Sequence, residues 1–179
     1  YTSLANAEDG IENTALSDTI ENFDSWSDGH NLVSSNTQWN IALYSDAGEV
    51  TNSYIHLSGW ITGPSNFLRI YTPFSTSEVG ITQRHQGVFD PSKYFLHVDA
   101  TGDYARGIQA SVDNLVIDGL QILVENNGFS FVSGVFVYDN FANNNYRHEY
   151  KNNIIKGLLS GVNANGMNVG TPSYPNAEY

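Results

Sequence analysis

The sequence predicts an all-β fold in which short strands wind as a solenoid of parallel sheets. Three observations predict it: the composition is rich in turn-forming residues, apolar residues alternate with a period of two, and similar segments recur at intervals of about 27 to 33 residues. The 179 residues include 21 asparagines, 16 glycines and one methionine, so tight turns are plentiful and material for long helices is scarce. A chain of this length is the size of a single domain.

The N-terminal region, residues 1–36, is predicted to be a short helix followed by an irregular segment that caps the fold. Within residues 2–11 a hydroxyl residue stands at the helix start, apolar residues follow at helical spacing, and Gly10 stands at the end. Residues 17–36 are rich in Ser, Asp, Asn and Gly, which favours a loop with one helical turn at most. Residues 37–179 are then predicted to form the coils.

The strands are predicted from short runs in which every second residue is apolar, as in a strand with one buried face. Such runs contain Trp39, Ile41 and Leu43; Ile55 and Leu57; Leu68 and Ile70; Leu96 and Val98; Ile108 and Ala110; Leu115 and Ile117; and Val135 and Val137.

Two interleaved series of similar segments set the predicted coil length. The strings GIQAS, GVFVY and GMNVG begin at Gly107, Gly134 and Gly166, which are 27 and 32 residues apart. The corner-like strings SGW, DGL and KNN begin at residues 58, 118 and 151, which are 60 and 33 residues apart. A shared period indicates about five or six coils, each contributing one strand to each of several sheets.

The corner at Asp118 and Gly119 explains a change of phase in the apolar pattern. Leu115 and Ile117 share one face of a strand, but in a straight strand Ile122 would lie on the opposite face. A bend between Ile117 and Ile122 is therefore needed if all three are to face inward. Glycine and asparagine tolerate the left-handed backbone of such a bend, so Asn-Asn pairs are predicted at other corners, with side chains that bond between coils. A twisted β-sandwich with long turns is the alternative fold.

Charge and composition exclude several functions. The chain has 19 acidic residues against seven lysines and arginines, a net charge of -12 that disfavours nucleic acid and anionic membranes as partners. The absence of cysteine excludes disulfides, zinc-thiolate sites and thiol nucleophiles, and no apolar run is long enough to predict membrane insertion. Low lysine, high acidity and no cysteine together indicate an extracellular, cell-surface or particle-surface setting.

Four segments resemble a known superfamily. They are YTSLANAEDG at the start, SGWITGPSNFLRIYTP at residues 58–73, KYFLHV, and NLVIDGLQI. They are similar to the N-terminal part of right-handed parallel β-helix proteins of the pectin-lyase-like superfamily, in particular its secreted, cell-surface and phage-particle members. The resemblance implies a right-handed helix, an all-β solenoid with a short N-terminal helix, and an extracellular or phage-particle location.

The resemblance also raises an enzymatic alternative, because superfamily enzymes cut acidic polysaccharides. The Asn-Thr-Asp, Asp-Asp, Gly-His-Gly and Arg-Ile-Lys signatures of polygalacturonase-like members do not occur in this chain. A lyase site needs an acidic calcium cluster and an arginine base, for which Asp113 and Asp139 with Arg106 or Arg147 are the candidates. A polysaccharide lyase or glycoside hydrolase domain is therefore the second functional hypothesis.

Metal-site candidates are few. Asp99 and Asp103 lie in the string DATGD, where oxygen ligands and a glycine bend suit calcium, although a plain turn explains the same residues. The five histidines show no pair at metal-ligand spacing. No cofactor is predicted apart from this calcium candidate.

Aromatic residues make up 13% of the chain and can stack on sugar rings when exposed on strands. Trp26, Trp39 and Tyr138 are predicted to be exposed and, with Asp139 and Arg147, are the candidates for contact with a glycan or a partner. Trp60 occupies the position of a core leucine in the corner motif and is predicted to be buried.

These observations favour a non-catalytic structural or adhesive module of an extracellular, cell-surface or virion assembly. Rigid coils would display the loops at residues 83–90 and 139–147 to a glycan or a host-surface receptor. Parallel strands leave unpaired backbone at any uncovered end, so the face at residues 166–179 is predicted to be covered by more chain or by another copy. Head-to-tail stacking of copies into a fibre follows from a contact of that kind.

Overall fold

The computed structural model describes residues 1–15, 26, 29–44, 48–51, 54–79, 82–101, 105–126, 128, 131–138, 146–160 and 164–170. In this part of the chain the helices are α1 (Leu4–Glu8), α2 (Leu32–Ser35) and α3 (Thr76–Val79). The strands are β1 (Trp39–Ala42), β2 (Glu49–Thr51), β3 (Ile55–Leu57), β4 (Leu68–Tyr71), β5 (Leu96–Ala100), β6 (Arg106–Ala110), β7 (Asn114–Asp118), β8 (Gln121–Asn126), β9 (Val132–Tyr138), β10 (Arg147–Lys151), β11 (Ile154–Leu159) and β12 (Ala164–Gly170).

The strands form three parallel sheets, and successive strands belong to successive sheets. Sheet 1 has the order β1-β4-β7-β10, sheet 2 the order β2-β5-β8-β11, and sheet 3 the order β3-β6-β9-β12. The described residues therefore contain four triplets of strands, fewer than the predicted five or six coils. The prediction of an all-β fold with one strand from each repeat in each parallel sheet is confirmed.

The N-terminal helix begins where the sequence predicts. The Ser3 hydroxyl accepts the Asn6 N–H at 2.9 Å as the N-cap, and Gly10 follows the helix with a left-handed φ of 69°. Helix α2 is a single helical turn within residues 17–36, where the sequence allows one, whereas α3 is a turn that the sequence does not predict. In α2 the Asn31 side chain supplies the N-cap, a local hydrogen bond that composition alone does not reveal.

Each predicted pair of alternating apolar residues lies in a strand or directly beside one. Their side chains form one continuous core between the three sheets, in which Leu57, Leu68, Leu96 and Leu115 are fully buried. No alternating pair lies in β2, β8, β10, β11 or β12. Strand β8 follows the predicted corner and β12 contains the GMNVG string, whereas β2, β10 and β11 expose both faces at least partly.

The corner between β7 and β8 has the predicted geometry. Gly119 has a φ of 81°, and Asn152, at the next corner of sheet 1, has a φ of 51°. The two corners are bonded together: Asn152 donates to the Asp118 carboxylate, and Asn153 donates to the Ile117 carbonyl, both at 3.0 Å. Asparagines thus bond between triplets as predicted, although their partners are Asp118 and backbone groups rather than other asparagines.

The glycine series is confirmed, and part of the corner series is wrong. Gly107, Gly134 and Gly166 stack in sheet 3, in register on β6, β9 and β12. Gly59, in contrast, follows β3 of sheet 3, whereas Gly119 follows β7 of sheet 1. The 60-residue spacing between these two corners therefore does not mark equivalent positions.

Candidate functional site at the two ends of the sheets

The stack of strands has two ends with different surfaces. We call the end formed by β1, β2, β3 and α1 the N-terminal end, and the end formed by β10, β11 and β12 the C-terminal end. In a stack of parallel strands the edge strands present unpaired backbone groups, so what covers each end determines how the molecule contacts others.

Helix α1 covers part of the N-terminal end by packing against β3. Leu4 and Ala7 of the helix are buried in the core. The carboxylate of Glu8 is also buried, and it accepts the Ser58 N–H at 3.0 Å and the Trp60 indole N–H at 3.0 and 3.1 Å. A buried carboxylate is stable only with such donors, so these bonds fix the position of the helix.

A second carboxylate ties the helix start to β2 and β5. Glu49 accepts the Leu4 N–H with both oxygens at 3.0 Å and the Tyr94 hydroxyl at 2.9 Å. Burial, together with the charge and hydrogen bond of Glu49, raises the pKa of Tyr94 well above its ordinary value. Tyr94 therefore remains a neutral donor, and the edge of β2 is held beneath residues 1–4.

Three tryptophans meet near this end. The rings of Trp39 and Trp60 stack at a centroid distance of 4.3 Å, and Trp26 approaches both edge-on at 6.3 and 6.1 Å. Trp60 is buried, as predicted. The prediction that Trp39 is exposed is wrong: only 6% of it is accessible, because it faces inward from β1. Trp26 is half-buried and packs against the core.

The edge of β1 borders a cavity of about 360 Å³. The cavity is lined by residues 1–4 on one side, by β1 and Tyr44 on another, and by Glu49 and Tyr94. Trp39 donates its N–H to the carbonyl of Phe67, just before β4, and Leu43 donates its N–H to the carbonyl of Tyr71 at the end of β4. The alternate residues, Asn40 and Ala42, therefore direct their N–H and C=O groups away from β4, along the side where β1 has no neighbouring strand.

The C-terminal end exposes apolar side chains at core positions. Ile155, Leu159, Met167 and Val169 are between 36% and 53% exposed. Their register partners one triplet earlier, Ile122, Asn126, Val135 and Val137, are all buried. The four residues thus face inward on the last strands of the sheets and are accessible because no further strand lies over them in the described structure.

The two ends also differ in charge. Residues 1–68 contain nine of the 19 acidic residues and none of the seven lysines and arginines. Strands β10 to β12 and their connections, residues 147–170, contain Arg147, Lys151 and Lys156 with a single acid, Glu149. Among the described residues, the N-terminal end carries Glu8, Asp9, Glu12 and Glu49 and no lysine or arginine, so this end is acidic and the C-terminal end is basic.

Several cations lie at the sheet 1 corner. Arg84 contacts the Asp118 carboxylate at 3.1 Å and Arg69 contacts it at 3.6 Å. Burial acts to raise the pKa of Asp118, but hydrogen bonds from Asn152 and Arg84 and the two guanidinium charges hold it below its ordinary value. These contacts stabilise the corner in its charged form.

Two of the predicted contact residues, Tyr138 and Arg147, lie on the surface of the described structure, on consecutive strands. Tyr138 is exposed at the end of β9 in sheet 3, and half-exposed Arg147 begins β10 in sheet 1, where it pairs with Glu149. Asp103 and Asp139 lie outside the described residues. Asp99 lies on β5 beside Glu125 in register, and the described residues contain no group of three or more potential metal ligands. The calcium candidate stays a prediction.

Sequence reasoning missed Glu8, Glu49 and Tyr94. Each is paired with a residue about 45 to 52 positions away, and no local spacing signals such a pairing. The charge difference between the ends is visible in the sequence, but it gains meaning only when successive segments are known to stack in order.

Comparisons with protein-family models, with curated proteins and with solved structures found no match. Among the described residues, no helix is long and apolar enough to span a membrane.

Proposed function

We propose that this protein is a non-catalytic structural module that associates end to end with further copies in an extracellular, cell-surface or virion assembly. The observation that carries the proposal is the row of apolar side chains at the C-terminal end, which occupy core positions that no strand of the described residues covers. Burying the remaining surface of a half-exposed aliphatic side chain contributes about 1 kcal/mol. Several such contacts in one plane favour association through this end.

The proposal includes a right-handed parallel β-helix as the framework. Strands that are neighbours in a sheet are joined through the two other sheets, and crossover connections between parallel strands are right-handed in nearly all proteins. A rigid framework of this kind transmits force along its axis and suits a fibre or a particle surface. A crystal structure with left-handed winding would contradict this part of the proposal.

Sedimentation velocity and negative-stain electron microscopy test the proposal. We expect the wild-type chain to form concentration-dependent oligomers that grow in one dimension. Combined substitution Leu159→Asp and Val169→Asp should shift the population to monomers, because it places two carboxylates in the contact. The matched control is Phe74→Asp, which changes an exposed apolar residue in the connection that follows β4, in the second triplet of strands. Association by the double variant as strong as that of the control would contradict the proposal.

A second assay addresses the non-catalytic part of the proposal. Incubation with uronate-containing and neutral polysaccharides, with and without calcium, should release neither unsaturated products nor reducing ends. Release that disappears in the variants Asp113→Asn or Arg106→Ala would instead support a lyase.

A further inference from the structure

The three edge strands at the N-terminal end differ in what lies against them in the described structure. Leu4 donates its N–H to Glu49 at the start of β2, and α1 packs on β3. The free side of β1, in contrast, faces the cavity of about 360 Å³. This arrangement leaves a lane beside β1 in which another strand can lie.

We propose that this lane accepts β10 of a second copy, so that sheet 1 continues from one molecule into the next. The inference rests on the proposed end-to-end association and names the contact through which it occurs. Strand β1 has four residues and β10 has five, so β10 is long enough to pair along the whole of β1, about 13 Å.

The hydrogen-bonding groups of the two strands are complementary. Asn40 and Ala42 direct their N–H and C=O groups into the lane, as described above. In β10 the Arg147 N–H is donated to the Asp113 carbonyl on the β7 side, so the next residue, His148, directs its N–H and C=O groups to the opposite side. Both strands are outermost in the same sheet, and both run in the same direction as every other strand in it. Parallel addition therefore repeats the pairing already present within sheet 1.

The register within sheet 1 specifies which residues meet. Asn40 aligns with Arg69, Arg69 with Val116, and Val116 with Glu149. If the same register continues, Asn40 of one copy lies opposite Glu149 of the next, with both side chains on the outer face of the sheet. Neighbouring parallel strands lie about 4.8 Å apart, so these two positions come within reach of a disulfide.

Charge complementarity identifies the occupant as a second copy. In the described structure the N-terminal end carries Glu8, Asp9, Glu12 and Glu49 and no lysine or arginine. Strand β10 carries Arg147 and Lys151, which both pair with Glu149, and Lys156 lies on the adjacent β11, so these two strands keep a net positive charge. The basic end of one molecule therefore meets the acidic end of another, whereas contact between two identical ends brings like charges together.

Proline substitution tests the added strand. Ala42→Pro removes an N–H that points into the lane and donates nothing to β4, so the monomer should fold with unchanged circular dichroism. We expect this variant to lose association in sedimentation velocity by at least tenfold. The matched control, Ala42→Val, keeps the N–H and should associate like the wild type. Unchanged association of Ala42→Pro would overturn the inference.

Cross-linking tests the register, since the chain has no cysteine of its own. An equimolar mixture of the single variants Asn40→Cys and Glu149→Cys should give a disulfide-linked dimer under mild oxidation. The control mixture of Asn40→Cys with Lys156→Cys places the second thiol at the same end but in sheet 2, and it should remain monomeric on a non-reducing gel.

The two proposals can fail separately. If the wild type stays monomeric, end-to-end association itself is wrong. If the wild type forms linear oligomers but Asn40→Cys cross-links no better with Glu149→Cys than with Lys156→Cys, the association stands and the β1–β10 contact is overturned.

Discussion

At the scale of single residues, sheet 3 depends on a ladder of glycines. A methyl group on Gly107 would lie 2.4 Å from the Gly134 carbonyl oxygen and 2.8 Å from a methyl of Val98. At Gly134 it would lie 2.9 Å from the Gly166 carbonyl oxygen. At Gly166, on the last strand, the nearest atom would be a methyl of Ile155 at 3.5 Å, an ordinary contact. The tolerance for a side chain thus increases towards the C-terminal end.

We expect Gly107→Ala to lower the free energy of unfolding by about 2 kcal/mol, because the new methyl group meets backbone that cannot move without disturbing the sheet. Gly166→Ala should be neutral or slightly stabilising, because it restricts the unfolded chain without a clash. Urea unfolding followed by tryptophan fluorescence, in dilute solution where the chain is monomeric, measures both. Equal destabilisation by the two variants would contradict this explanation of the glycine series.

The glycine series illustrates what a sequence can predict at this scale. The three strings beginning at Gly107, Gly134 and Gly166 share a position in the repeat, so their equivalence is visible as spacing. The burial of Trp39 follows from a pattern of the same kind, because Trp39 alternates with Ile41 and Leu43 on the apolar face of a strand. The prediction that Trp39 is exposed is at odds with that alternation. What alternation cannot show is the partner of Trp39, the Trp60 ring from another segment.

At the scale of elements, α1 is a five-residue helix that has no stability by itself and depends on its contacts. It is held by two buried apolar side chains and by the bonds that Glu8 and Glu49 accept. The carboxylate of Glu8 therefore determines whether the helix covers β3.

We expect Glu8→Ala to reduce the free energy of unfolding by about 2 kcal/mol, because the Ser58 N–H and the Trp60 indole N–H lose this acceptor in a buried site. Glu8→Gln keeps an oxygen acceptor and should cost about half as much or less. Thermal unfolding measured by near-ultraviolet circular dichroism reports on the stacked tryptophans directly. A Glu8→Gln variant as unstable as Glu8→Ala would indicate that the charge, rather than the hydrogen bonds, holds the helix.

The strands differ in how well the sequence predicts them, for a physical reason. Strands in the middle of the stack, such as β5, bury one face and carry a regular apolar pattern. Strands β2 and β11 lie at the outer edges of sheet 2 and bury neither face fully. Because both faces contact solvent, neither face has to be apolar, and no regular alternation of apolar and polar residues arises. Prediction from alternation therefore fails first at the ends of the stack, which is where the proposed contacts lie.

At the scale of the whole molecule, successive triplets of strands stack in chain order, so a difference in charge between the start and the end of the sequence becomes a difference in charge between the two ends of the stack. The acidic residues of the first triplet and the cations of the last lie on opposite ends, separated by strands with a more balanced composition. A net charge of -12 makes copies repel one another in general. Attraction is confined to contact between unlike ends, which favours linear growth over irregular aggregation.

Salt and charge reversal test this distribution together. The screening length is about 30 Å at 0.01 M ionic strength and about 3 Å at 1 M, so salt weakens both the general repulsion and the attraction between ends. The attraction between unlike charges at the contact outweighs the general repulsion, because the charges at the contact are closest to one another. We therefore expect the association constant to fall as the sodium chloride concentration is raised. Lys151→Glu combined with Lys156→Glu should reduce association at low salt by at least tenfold and remove most of the salt dependence.

The control for charge reversal must change the net charge equally without touching either end. Lys93→Glu combined with Arg106→Glu meets this condition, because both residues belong to the second triplet and its connections. Its association should weaken only slightly, through the added net charge, and should retain the wild-type direction of salt dependence. If the two double variants weaken association equally, net charge alone governs self-association and the electrostatic difference between the ends has no role in it.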